Sequence, residues 1–227
     1  MNATKNLSQV NVSNKLSALK LLKSSASLWF VVATLGQWMF VIYIVGFYYS
    51  STLAGNFGKW NERLENGFIK DDLVGNIALF LHIILAAIII GGGPLQFIPQ
   101  IRKHFRKFHR WNGRIYIIIA FVMSIGGLIM TWQPHREQAG GPLASLGVSL
   151  DGVLIILFAI LAWRTALKRD FLAHGHWAFR LFLAVNAVWF FRIGLMLWLF
   201  INQGPLWFDP KTFTGPFITF LGFAQAL

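Results

Sequence analysis

Residues 73–97 read LVGNIALFLHIILAAIIIGGGPLQF, a run with no Lys, Arg, Asp or Glu and a single histidine. At about 1.5 Å of rise per residue, such a run makes a helix long enough to cross a hydrocarbon core ~30 Å thick. A helix on the surface of a soluble domain needs a polar face, and this one has none. The stretch therefore belongs in a bilayer, and it sets how the rest of the chain is read.

Outward from it, four further runs meet the same standard: residues 28–49, 115–132, 146–167 and 177–201. The run 115–132 is the shortest. A sixth apolar stretch, 213–227, is open to two readings, a re-entrant piece or a span interrupted where the chain given ends. The composition agrees, with 56% hydrophobic and 12% charged residues over 227 positions and a mean hydropathy of +0.59. The fold class expected is all-α: a polytopic transmembrane helical bundle of five spans, with the sixth open. Residues 28–227 form one membrane domain, and residues 1–27 form a basic tail. In that tail Lys15, Lys20 and Lys23 alternate with Leu16, Leu19 and Leu22. The spacing fits a short amphipathic helix on anionic lipid, or else a solvated tail.

A net charge of +12 would suggest nucleic acid in a soluble protein, but here the Lys and Arg residues sit between the apolar runs. Arg102, Lys103, Arg106, Lys107 and Arg110 fill one connection, and Arg164, Lys168 and Arg169 another. Basic short loops stay on the cytoplasmic side, which puts these connections and the N-terminus inside. Trp29, Tyr48, Tyr49, Trp60, Trp111, Trp132, Trp163, Trp177 and Trp207 fall near span ends, as interfacial rings do. The connection of residues 50–72 reads as a surface loop without a core of its own. The localisation implied is the inner (plasma) membrane, multi-pass. The partners implied are the lipid bilayer, anionic headgroups at the basic loops, and a redox partner or a second copy of the chain, with no nucleic acid.

Cysteine is absent, which removes disulfides, thiolate metal sites, iron–sulfur clusters and cysteine nucleophiles. No phosphate-binding glycine loop, Gly-x-Ser-x-Gly elbow or His-Glu-x-x-His pair is present either, so hydrolases, kinases and nucleotide binders are disfavoured.

Polar residues inside a span are costly and therefore informative. His82 and Arg192 each lie nine residues from the outer end of a span, about 14 Å deep, and Asp151 enters from the same side. His82, Asp151 and Arg192 are thus expected as an intramembrane polar cluster, serving either as a relay or simply as a lock between helices. Gln37 sits closer to the middle of the first span. At the basic end His109 precedes the third span, while His174, His176 and Arg180 open the fifth. Neutral imidazoles on separate helices ligate haem iron or a Cu/Zn ion, so His109, His174 and His176 are candidate metal or haem ligands. His104 reads as part of the basic loop, and His135 falls in an outer one. Gly91, Gly92, Gly93 and Pro94 predict a kink or hinge near Gln96, because Pro94 has no N–H to offer the Ile90 carbonyl.

His82, then Gly93-Pro94-Leu95-Gln96-Phe97, then His109-Arg110-Trp111-Asn112-Gly113-Arg114, and later His174-Gly175-His176-Trp177-Ala178-Phe179-Arg180 with Arg192, together resemble a bacterial family. Its members are predicted multi-spanning membrane proteins, catalogued only as a domain of unknown function. The resemblance covers residue 73 to the C-terminus. It implies that His82, Gln96, His109, Arg114, His174, Trp177, Arg180 and Arg192 occupy the family's characteristic positions, and it supplies no activity. A weaker similarity links His109-Arg110-Trp111-Asn112-Gly113-Arg114 to the segment opening a haem-ligating span in diheme b-type cytochromes and ferric reductases. It implies one haem near the basic end, held by His109 and His174 or His176, with Arg114 or Arg180 balancing the propionates. His82 has no intramembrane histidine opposite it, so two bis-histidine haems do not follow.

Three readings come out of the sequence. They are a haem- or metal-binding electron-transfer protein, a proton-coupled small-solute transporter or channel, and a non-catalytic membrane scaffold. Whether the chain is an enzyme is left open.

Overall fold

The computed structural model describes residues 2–64, 67–132 and 140–225, so His135 lies outside the described residues. The chain divides into two compact units, Met1–Phe40 and Val41–Leu227. The first is the greater part of one long helix, α1 (Asn2–Tyr43), which carries the lysine-bearing stretch, the first apolar run and Gln37.

The second unit opens with the end of α1, a wider π-wound turn (Ile44–Tyr49) and the short α2 (Ser50–Leu53). The Tyr49 hydroxyl donates to the Ile84 carbonyl of the next long helix, holding the turn against it. The connection that follows departs from expectation, because it does bury a core of its own. A 3-10 turn (Phe57–Glu62) carries Trp60 inward to 1% exposure. There its ring stacks on Phe80, meets Tyr48 edge-on, and donates Nε1–H to Ser51 Oγ at 3.1 Å. The loop's glycines and charges conceal one aromatic with a polar tip, which is enough to anchor it.

Helix α3 (Leu73–Gly92) starts where Asp72 accepts the Gly75 N–H at 2.9 Å, a side-chain cap on an otherwise orphan donor. It ends at the glycines, and Pro94 begins a 3-10 turn (Pro94–Phe97) leading into α4 (Pro99–His104). Helix α5 (Arg106–Thr131) begins nine residues before the apolar run does, so the basic segment continues the span as helix. Helix α6 (Gly141–Leu167) follows, opening at Gly140 with φ +95 and a proline in its first turn. The expected fifth span is two helices, α7 (Phe171–Val185) and α8 (Ala187–Asn202), meeting at Asn186 with a bend of 51°. The last apolar stretch forms α9 (Pro216–Ala224), too short to cross a bilayer.

Among the described residues four helices are long and apolar enough to cross a membrane, and five if the bent pair counts as one. Their packing follows membrane rules. On α6 the small residues Ala144, Gly147, Gly152, Ala159 and Ala162 face neighbouring helices, while Val153, Leu157 and Ile160 are exposed to where lipid lies. At the α6–α9 crossing a Cβ on Gly147 would stand 2.4 Å from the Gly222 carbonyl oxygen, so only glycine permits that approach. Among the described residues there is no strand, only an isolated bridge between Asp209 and Thr214.

Candidate functional site

Two groups of polar side chains lie inside the second unit, and their bonding differs. The first surrounds the break after α3. Gln96 N–H turns to the Gly93 carbonyl at 3.0 Å, as a 3-10 turn requires, so it no longer serves the Gly92 carbonyl. The side chain of Asn112, on α5, takes that place and donates to Gly92 O at 2.9 Å. With the Gln96 amide assigned the orientation that satisfies its neighbours, its oxygen accepts from the Asn112 amide nitrogen at 2.5 Å and from the Gly113 N–H at 3.2 Å. The Gln96 amide nitrogen, thus turned toward His109, donates to its Nδ1 at 2.7 Å. The glycines are needed for this fit. A Cβ on Gly92 would stand 2.9 Å from Asn112 Oδ1, and one on Gly93 3.0 Å from the Tyr116 ring and 3.2 Å from that of Phe182. Phe97 packs on Phe182 at 4.8 Å between centroids, so the break is seated against α5 and α7 together.

His174 Nδ1 lies 2.9 Å from the Ala162 carbonyl, a geometry that protonates Nδ1 and leaves the Nε2 lone pair free. His109 and His174 interact electrostatically. Gln96 imposes the opposite tautomer on His109, with Nδ1 accepting and Nε2 carrying the proton. His176 is exposed, and among the described residues no three His, Cys, Asp or Glu side chains converge to hold a metal ion. Arg114 and Arg180 lie over their neighbouring tryptophans, Trp111 at 5.5 Å and Trp177 at 4.9 Å. Of the three imidazoles, His174 is bonded to a buried carbonyl and His176 is exposed.

The second group lies deeper. Ile89, Tyr116, Ile119, Ala120, Ala159 and Leu181 form one buried apolar cluster, with Leu85, Met123, Ile155 and Val185 packed on it. About a turn away on three helices, and at the break after the fourth, each time toward the end of the bundle carrying residues 50–72, stands a polar side chain. His82 precedes Leu85 on α3, Ser124 follows Ala120 on α5, Asp151 precedes Ile155 on α6, and Asn186 follows Val185. His82 Nδ1, Ser124 Oγ, Asp151 Oδ1 and Asn186 Oδ1 are all buried without a hydrogen-bond partner. The Tyr116 hydroxyl, inside the apolar cluster, is in the same state. Burial is near complete: Asn186 is 2% exposed, Ser124 6% and Asp151 7%. Neighbouring contacts do exist, since the His82 ring bonds to the Met123 backbone and Asn186 Nδ2 donates to the Phe182 carbonyl at 2.7 Å. Each leaves one further atom with nothing to bind, although a buried polar atom normally finds a partner.

Of the three residues expected to cluster, His82 and Asp151 each carry a buried side-chain atom without a hydrogen-bond partner. Arg192 lies beyond the break, on the exposed side of α8, and its electrostatic neighbours are Tyr43 and Tyr48. The bend at Asn186 turns α8 away from the line the sequence implies for a straight span. Ser124, Asn186 and Asn112 were not singled out from the sequence. Asn186 carried a usable signal, since it is an amide at the middle of the apolar stretch 181–191, between Arg180 and Arg192. Asn112 lay within a quoted motif, but its partner is a carbonyl exposed only by the break.

A bundle of apolar helices with small residues at its crossings, large ones outside and polar atoms within is a polytopic helical membrane protein. Residues 79–209, more than half of the chain, match the family described as predicted membrane protein (DUF2306), and the chain belongs to that family. The match spans the motifs from His82 to Arg192, and the family description carries no activity. No curated protein and no solved structure matches the chain.

Proposed function

We propose that the protein is a proton-coupled carrier of a small polar solute, with its site in the tier of His82, Ser124, Asp151 and Asn186. The single observation carrying this reading is that all four present a buried polar atom with no partner. In a membrane interior such atoms are tolerated where water or a solute completes them. The tier contains two titratable groups, His82 and Asp151, and lies beside the bend of a broken span, the usual setting of carrier sites. Gly91, Gly92, Gly93, Pro94 and Gln96 serve as the second flexure. The basic end, with Arg102, Arg106, Arg110 and Arg164, faces the cytoplasm and anionic headgroups of a plasma membrane.

The test is proton movement into liposomes bearing the full chain, followed with an internal pH-sensitive dye. Acidification driven by a proton gradient, lost in both Asp151→Asn and His82→Ala while each variant still elutes as a folded protein, is the expected result. Unchanged flux in both variants overturns the reading.

A second reading is favoured by one observation, the free Nε2 of His174 near His109. It places a haem at the basic end, with His109 and His174 as ligands, Arg114 and Arg180 at the propionates, and His176 as an alternative ligand. Gln96 opposes it by fixing the wrong tautomer on His109. A reduced-minus-oxidised spectrum of protein produced with haem precursor decides: a Soret band lost in His174→Ala supports haem, and a colourless protein removes it.

A further inference from the structure

Helices α5 and α7 repeat one short pattern near their basic ends, Trp111-Asn112-Gly113-Arg114 and Trp177-Ala178-Phe179-Arg180. The two copies stand at one level. A Cβ on Gly93 would lie 3.0 Å from the Tyr116 ring and 3.2 Å from that of Phe182, so these two rings flank the same glycine. About two turns nearer the helix starts, His109 and His174 interact in the same register. In each helix the arginine comes two residues before the ring, hence about 3 Å closer to the basic end and roughly 200° round the helix axis from it. The rings of Tyr116 and Phe182 are buried in the bundle, so the arginines point outward, and both are exposed. Each lies over its own tryptophan, Arg114 at 5.5 Å from Trp111 and Arg180 at 4.9 Å from Trp177.

That level coincides with an edge of the hydrocarbon. Beyond Arg114, residues 115–132 carry no charged side chain, and they rise about 27 Å, against a hydrocarbon core ~30 Å thick. An arginine facing lipid at this edge meets the phosphate layer, where a guanidinium makes paired hydrogen bonds to phosphate oxygens. The chain itself offers little counter-charge. Residues 98–114 and 164–180 hold ten Lys and Arg side chains and one acid, Asp170, which caps α7 by accepting the Ala173 N–H. Arg106, Arg110 and Arg114 follow one another at four-residue spacing along α5, where like charges repel. An anion from outside the chain relieves that row, and a headgroup with its own cation does so less well. The tryptophan faces that the arginines cover are also closed to a quaternary ammonium. We propose that Arg114 and Arg180 each bind the phosphate of an anionic glycerophospholipid in the leaflet at the basic end, with Trp111 and Trp177 as the platforms that steady the two guanidinium groups.

The full chain in a neutral detergent, titrated with phosphatidylglycerol, phosphatidylcholine or glycerol 3-phosphate, tests this. Native mass spectrometry counts bound lipid, and thermal melting reads stability. Phosphatidylglycerol should bind at least about 10-fold more tightly than phosphatidylcholine and raise the melting midpoint, as a ligand of the folded state does. Glycerol 3-phosphate, which lacks acyl chains, should do neither. Arg114→Gln and Arg180→Gln should each weaken phosphatidylglycerol binding about 10-fold, the loss of a charge-assisted hydrogen bond. Lys103→Gln, which removes an exposed and screened charge from α4, should change it by less than about 2-fold. Equal binding of the two lipids overturns the assignment, leaving bilayer contact without choice of headgroup. Unchanged affinity in both arginine variants, or equal losses in all three, overturns it too, leaving only the diffuse charge of the basic end. Stabilisation by glycerol 3-phosphate as strong as that by the lipid removes the lipid as occupant. Should an arginine variant fail to fold, the three ligands compared on the unsubstituted protein still decide.

Discussion

The bundle handles buried polarity in opposite ways at two depths. Around the break after α3, the Gly92 carbonyl freed by the turn is taken up by Asn112, which is held by Gln96, which in turn holds His109. Half a span away, His82, Ser124, Asp151 and Asn186 each end in an atom that nothing meets. The same chain thus completes one network fully and leaves the other open. A closed network adds stability and fixes a shape, while an open one costs stability and persists where an occupant completes it.

The largest expected effect lies on the open side. Asp151→Asn keeps the shape of the side chain and removes its ability to take up a proton. It should abolish proton movement in liposomes, with a loss of at least about 100-fold, equivalent to ~2.8 kcal/mol on the 1.4 kcal/mol-per-decade scale. Its thermal stability in detergent should hold or rise, because an uncompensated buried carboxyl is replaced by a neutral amide. A fall in stability comparable to that of a core mutation would show that Asp151 has a structural partner and would close the open network.

On the closed side the signs reverse. Asn112→Ala leaves the Gly92 carbonyl and the Gln96 oxygen short of a donor and should cost about 1 to 2 kcal/mol of stability, read as a lower midpoint in a thermal melt. Proton movement per folded molecule should remain. A variant equally stable but inactive would mean that the two networks are one.

Ser124→Ala gives a smaller effect. Removing a hydroxyl buried without a partner should shift stability by no more than about 1 kcal/mol, and in the favourable direction. The same substitution at Ser51, whose Oγ accepts from Trp60, should go the other way. Paired melts of the two alanine variants test the sign, and a loss at Ser124 as large as that at Ser51 would show that the Ser124 hydroxyl has a partner.

Much of this was legible in the sequence, for physical reasons. The 73–97 run and its companions are read by hydrophobic length alone, and length is what a bilayer selects. Asp72 and Pro94 mark the limits of α3 through the chemistry of helix ends. The bend at Asn186 was not legible. A single amide in an apolar run satisfies the length criterion as well as leucine does, and hydropathy averages over it. Depth accounting likewise assumes a straight helix, whereas α7 and α8 meet at 51°. Trp60 was misread for a similar reason. Loop composition registers glycine and charge, whereas burial there depends on one ring finding Tyr48 and Phe80.

The imidazoles at the basic end give the smallest effect and sharpen the comparison most finely. His174 and His176 are two residues apart in one helix, yet only His174 bonds a buried carbonyl, that of Ala162. His174→Ala should cost roughly 0.5 to 1.5 kcal/mol, one neutral hydrogen bond. His176→Ala should stay within about 0.5 kcal/mol, as exposed substitutions do. Thermal melts of the two variants measure the difference directly. Equal losses would mean that His176 has a partner the isolated chain lacks, which is the outcome expected if both imidazoles hold one group. A loss at His174 alone would give that residue a structural role, holding α7 to the Ala162 carbonyl of α6, and would weigh against a group shared by the two imidazoles.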